Sequence, residues 1–146
     1  LLIDFGASFG AMNADITRTF FCQHVGEEFR AIYETVLAAN AKGKATAAPG
    51  VTCDTLDRET TNVLTASPFS EMIVHKTGHG LGLDVHEAPQ VMIGNTTELK
   101  PGVVITIEPG LYRPSEIGVR IEDDVLITNT GAESLTAFSR EVTCFG

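Results

Sequence analysis

Acidic side chains stand inside segments that otherwise read as β-strand, and this limits what the chain can fold into more than any other feature. In GVRIEDDVLIT, Gly118 to Thr128, the apolar Val119, Ile121, Val125 and Ile127 are interrupted by Arg120, Glu122, Asp123 and Asp124. Strand interiors are poor in Asp and Glu, and a buried carboxylate is costly unless a positive group meets it. The same design recurs at Asp4 in LLIDFG, Asp15 in NADITRT and Glu108 in ITIEPGL, and TGHGLGL sets His79 in similar surroundings. Four carboxylates and one imidazole, from five separate segments, ask for a shared counter-charge.

Each of these residues has a bland explanation when taken alone. Asp4 can open an Asx turn before Gly6. Asp15 can face water from an edge strand, and a solitary His79 is more often a structural residue than a ligand. Glu108 can end a strand at the surface before Pro109, and Glu122 can pair with Arg120 on one strand face. Jointly these explanations weaken, because the ten basic residues cannot easily neutralise a buried cluster. An oxygen-dominated set with one imidazole suits one or two divalent cations, Mn²⁺, Co²⁺, Zn²⁺ or Fe²⁺. Four acids can bridge two metals about 3.5–4 Å apart and leave a water position open, which is hydrolase chemistry.

The rest of the chain frames that cluster. Its 146 residues suit one domain with a real core. A diffuse net charge of −9 argues against nucleic acid or anionic membrane as partner. No apolar run approaches a membrane span. Cys22, Cys53 and Cys144 show no pairing pattern, which favours a reduced, cytoplasmic chain. Full strand character at the first residue, with no signal peptide, predicts that the natural protein extends upstream.

Leu1 to Asp4 reads as a buried strand, GASFGAMN as a turn of small residues, and Asp15 to Phe21 as the second strand of a hairpin. Phe29, Ile32, Tyr33, Val36 and Leu37 recur with helical period from Glu27 to about Ala48, and Pro49-Gly50 stops that helix. A second helix, capped by Thr52 or Asp54, runs to about Ala66 with Leu56, Val63 and Leu64 inward. Short strands follow in MIVHKT, PQVMI, GVVITIEPGLY and VRIEDDVLIT, and residues after Leu135 read as a tail. A hairpin, two helices and then a run of strands predict an α+β fold with an antiparallel sheet.

The motifs IDFGASFGAMNADITRTF, HKTGHGLGLDVHEAP, ITIEPGLY and GVRIEDDVLIT occur in this order. Together they resemble the catalytic domain of the pita-bread metallopeptidases, in the branch of Xaa-Pro aminopeptidase (aminopeptidase P) and prolidase. The resemblance covers Leu1 to about Ala137. It implies a pita-bread fold with helices on one face of the sheet, residues 1–146 being a C-terminal catalytic domain that lacks the upstream part of the fold.

The resemblance also implies site roles. Asp4 would chelate one metal, His79 and Glu108 the other, and Asp15 and Glu122 would bridge the two, with Mn²⁺ as the expected ion. Glu108 would also carry the catalytic proton. His86 would contact substrate and the developing oxyanion. His75 would line the substrate pocket, and Arg120 would support the carboxylates. The substrate would be a peptide or dipeptide with proline second. His24 falls in no motif and reads as a surface loop residue.

Where relatives often carry Tyr three residues before the second Asp, this chain has Met12, which removes a hydroxyl donor. Missing upstream elements would uncover apolar surface, and a homo-oligomer is the expected remedy. Two other functions stand beside Xaa-Pro hydrolysis. One is a non-catalytic peptide- or protein-binding module of the same fold, though such relatives typically lose ligand residues and all five are present here. The other keeps the metals and changes the substrate, as in methionine aminopeptidase. Creatinase-like hydrolysis does without the metal ligands, so the complete set argues against it.

Overall fold

The computed structural model describes residues 1–146. The expected hairpin is longer and tighter than the sequence suggests. β1 (Leu2–Phe9) and β2 (Met12–Cys22) pair antiparallel from Leu2 opposite Thr19 to Phe9 opposite Met12. Only Gly10 and Ala11 form the turn, both at positive φ as a two-residue hairpin loop of the primed type requires. The small residues read as a turn therefore lie within the ladder. Gly6 is needed there, because a Cβ would come within 2.1 Å of the Ala14 carbonyl oxygen.

β1 is not the buried strand expected. It forms an edge of its sheet, and Leu1, Phe5 and Phe9 are exposed. Met12 is half exposed beside the turn. By strand alternation it shares a face with Ala14 and Ile16 rather than with Asp15, so its missing hydroxyl does not bear on the acid cluster.

The helices follow their sequence signals. α1 (Glu27–Thr46) buries Ile32, Tyr33, Val36 and Ala39 against Phe21, Leu111, Val119 and Ile121. α2 (Cys53–Thr65) is capped by Thr52, whose hydroxyl accepts the Thr55 N–H at 3.1 Å. Gly43 lets the helices meet, since a Cβ there would lie 2.7 Å from Thr60 Oγ1.

MIVHKT is not a strand. A short 3₁₀ turn at Ser70–Met72 leads into chain outside any ladder until β3 (Gly78–Gly80), which forms a hairpin with β4 (Glu87–Val91). After these come β5 (Val104–Ile107), the paired β6 (Gly110–Arg113) and β7 (Ile117–Arg120), β8 (Asp123–Ile127), β9 (Ala132–Ser134) and β10 (Thr143–Phe145). Strands β4-β3-β5-β8-β9 form an antiparallel sheet. Its Ile105, Ile107, Val125 and Ile127 pack with Cys53 and Leu56 of α2.

The stretch after Leu135 is no loose tail. β10 pairs parallel to β2, and Arg140 reaches Asp123 at 2.6 Å. VRIEDDVLIT is likewise two strands, broken at Ile121 and Glu122 where the chain crosses from β7 to β8.

Candidate metal centre

The three consecutive acids take different partners, and alternation along β8 sends Asp123 and Asp124 to opposite faces. Asp123 lies fully buried and binds Arg18 from β2, Lys44 from α1 and Arg140, at 2.7, 2.7 and 2.6 Å. The cations around it hold its carboxyl below the usual range although burial opposes them. Asp124, on the other face, accepts the backbone N–H of Asp15 at 3.1 Å. Its second carboxylate oxygen has no hydrogen-bond partner, and burial pushes its pKa up to about 6.

Glu122 is different again. Its backbone N–H donates to Thr17 O at 3.1 Å, and its carboxylate accepts the Thr17 hydroxyl at 2.5 Å. Arg120 does not pair with it. That guanidinium binds Asp4, the Tyr112 hydroxyl at 2.8 Å and Thr17 Oγ1 at 3.1 Å.

The five residues singled out in the sequence converge, in overlapping sets whose ligand atoms lie within 4.8 Å of one another. Asp4, Asp15 and Glu122 form one set; His79, Glu108 and Glu122 form a second, so Glu122 belongs to both. A third set joins Asp15 and His79 to His86. The hairpin β1–β2 delivers Asp4 and Asp15, β3 delivers His79, and the ends of β5 and β7 deliver Glu108 and Glu122.

The electrostatics call for positive charge. Burial, reinforced by Glu108, raises Glu122 to about 8. Burial and then Asp4 raise Asp15, and burial raises Glu108. The imidazole of His79 is oriented to accept such a charge. Its Nδ1 lies 3.0 Å from the Gly80 carbonyl, which can only accept, so Nδ1 carries the proton. Its Nε2 faces Glu108 Oε1 at 3.4 Å. An imidazole nitrogen and a carboxylate oxygen at this spacing, within one set with Glu122, fit a divalent metal.

Around this centre the other expected residues take distinct places. His86 lies on an exposed loop, its ring 4.2 Å from that of His79, and with Asp4, Asp15 and Val85 it lines a cleft of about 470 Å³. His75 is one step removed, with Nδ1 against Lys76 O and Nε2 receiving the Tyr112 hydroxyl at 2.8 Å. His24 is exposed, as expected.

Sequence reasoning missed Tyr112, Thr17 and Thr106. Tyr112 links His75 to Arg120, and Thr106 joins the His79 N–H, at 3.0 Å, to Glu108 Oε1, at 3.3 Å. All three lie within the quoted motifs, but neutral hydroxyls in strands give no signal of their own.

Comparison with known proteins follows the same outline. The pattern of metallopeptidase family M24 matches residues 1–129. The Xaa-Pro dipeptidase of Pyrococcus furiosus is 44% identical over 142 residues, 97% of this chain and 41% of its own length. Prolidase from Pyrococcus horikoshii superposes with a TM-score of 0.94 at 45% identity, over 97% of this chain and 41% of that one. An X-Pro aminopeptidase from Thermotoga maritima does so with 0.95 at 35% identity, over 99% and 41%. The chain thus spans about two fifths of the length of these relatives and shares the α+β, pita-bread architecture of that part. It belongs to metallopeptidase family M24.

Proposed function

We propose that residues 1–146 form the C-terminal catalytic domain of a dinuclear metallo-exopeptidase that cuts the bond between an N-terminal residue and proline. The observation that carries this reading is the sharing of Glu122 between two ligand sets, one with Asp4 and Asp15, the other with His79 and Glu108. Asp15, in a set with Asp4 and Glu122 and in another with His79 and His86, would be the second shared ligand. The oxygen-rich donor set favours Mn²⁺, with Co²⁺, Zn²⁺ or Fe²⁺ able to replace it. The relatives named for Xaa-Pro cleavage support the substrate class.

Divalent ions held by Asp4, Asp15, His79, Glu108 and Glu122 would supply positive charge and lower the pKa of water in the cleft. The chain's own residues do the rest. Glu108 would take the proton from the attacking water as the water oxygen bonds to the scissile carbonyl carbon. The same carboxyl then returns the proton to the proline nitrogen as the C–N bond breaks. His86, on the cleft wall, donates to the oxygen that gains charge. Arg120 holds Asp4 in place, and Tyr112 fixes His75 along the pocket side.

No helix of this chain is long and apolar enough to cross a membrane. Three unpaired cysteines support a cytoplasmic setting. The exposed apolar side chains of β1 support assembly into a homo-oligomer.

The test is hydrolysis of Xaa-Pro dipeptides and longer Xaa-Pro peptides beside Met-Ala-Ser, with Mn²⁺ or Co²⁺ present. Xaa-Pro turnover that falls at least about 100-fold in Glu108→Gln is expected. Preferential cleavage of Met-Ala-Ser would move the protein to methionine aminopeptidase chemistry. Full metal uptake without turnover of any peptide would favour the binding module.

A further inference from the structure

Asp57 of α2 is a buried carboxylate that the acid cluster does not use. It is 3% exposed and makes no ion pair, since its neighbour Arg58 turns outward to Asp54. Hydrogen bonds alone satisfy it. Oδ1 accepts the backbone N–H of Thr77 at 2.9 Å and its hydroxyl at 2.5 Å. Oδ2 accepts the backbone N–H of Ile93 at 2.7 Å. Thr61, one turn along the helix, adds a weaker contact at 3.3 Å.

The placement of these donors matters. Thr77 directly precedes β3 and Ile93 follows β4, so one carboxylate grips both roots of the hairpin that carries His79 at its base and His86 in its loop. Thr77 also reaches the other side of the centre, for its carbonyl accepts the Glu108 N–H at 2.7 Å. Between them Gly78 lies flat against β5, where a Cβ would be 2.0 Å from Thr106 O. A short, stiff path therefore runs from Asp57 through Thr77 to both His79 and Glu108, whose side chains stand 3.4 Å apart.

We propose that Asp57 is a positioning residue for the metal centre, setting the separation of His79 and Glu108 through Thr77 and the hairpin roots. The inference rests on the metallopeptidase reading above. A neutral amide cannot replace the carboxylate. Asn accepts on one side only, and its amide nitrogen would meet a backbone N–H donor on the other.

Co²⁺ titration of this chain, followed by calorimetry and by the visible absorption of the bound ion, tests the proposal. Asp57→Asn is expected to weaken Co²⁺ binding about 10-fold and alter the absorption envelope, the effect typical of partners that orient ligands. Thr77→Val keeps the backbone donor and loses only the hydroxyl, so a smaller loss in the same direction is expected. Glu59→Gln removes a carboxylate from the exposed face of the same helix, paired only with Lys42, and is expected to leave Co²⁺ affinity and spectrum unchanged.

Asp57→Asn and Thr77→Val that bind Co²⁺ like wild type would overturn the proposal, even with a lowered melting temperature, while leaving the metallopeptidase reading intact. Equal losses in Glu59→Gln would also overturn it, by making the effect one of general stability. Should Asp57→Asn fail to fold, Thr77→Val decides. A wild-type chain that takes up no Co²⁺ removes both readings at once.

Discussion

A carboxylate whose pKa rises on folding makes the fold pH-sensitive in a definite direction. Glu122 goes from 4.5 to about 8, so its contribution favours the metal-free fold below 4.5 and is lost as pH rises toward about 8. A divalent ion relieves that penalty, and ligands must be deprotonated to bind it. The rise in melting temperature on adding Mn²⁺ should therefore be larger at pH 8 than at pH 5, by about 5 °C or more. Equal increments, measured by calorimetry across that range, would mean that Glu122 holds no ion. Asp123 behaves oppositely because protein cations already neutralise it. Asp123→Ala leaves three of them without their carboxylate and should cost about 3 kcal/mol in denaturant unfolding. Arg140→Ala should cost less, its side chain being a quarter exposed. Adjacent acids thus have unrelated partners, Glu122 facing the acid cluster and Asp123 the protein cations.

Elements with strong local signals were legible in the sequence, and those defined by partners were not. The apolar period of α1 and the Thr52 cap of α2 act within a few residues, so their bounds follow from the chain itself. MIVHKT carries strand-like residues, yet Asp57 takes the Thr77 N–H that a neighbouring strand would otherwise take. Residues after Leu135 read as a tail because nothing nearby in sequence shows that Asp123 and β2 await them. Among the site residues, Asp4, Asp15, His79, Glu108 and Glu122 were visible because charge in a strand is conspicuous. Tyr112, Thr17 and Thr106 were not, because neutral hydroxyls are common there. The close approach of β3 to β5 gives a further test at this scale. Gly78→Ala should part the two strands, destabilise the fold by a few kcal/mol and weaken metal binding, because the alanine methyl has no room against Thr106. A variant with wild-type melting and metal affinity would show that the hairpin can shift without disturbing His79.

For the molecule as a whole, two proposals depend on many residues together. The first is assembly. Leu1, Ile3, Phe5 and Phe9 alternate along one face of edge strand β1 with 68, 39, 62 and 92% exposure, a surface that association would cover. Phe5→Asp combined with Phe9→Asp should lower the mass found by sedimentation equilibrium, and an unchanged mass would place any interface elsewhere. The second is the convergence of acids from distant segments, which isolated side-chain explanations do not account for. Its most direct measurement is the metal content of the chain at saturating Mn²⁺. About two ions per chain, falling sharply in Glu122→Gln, are expected. Less than half an equivalent, unaffected by that substitution, would contradict the account.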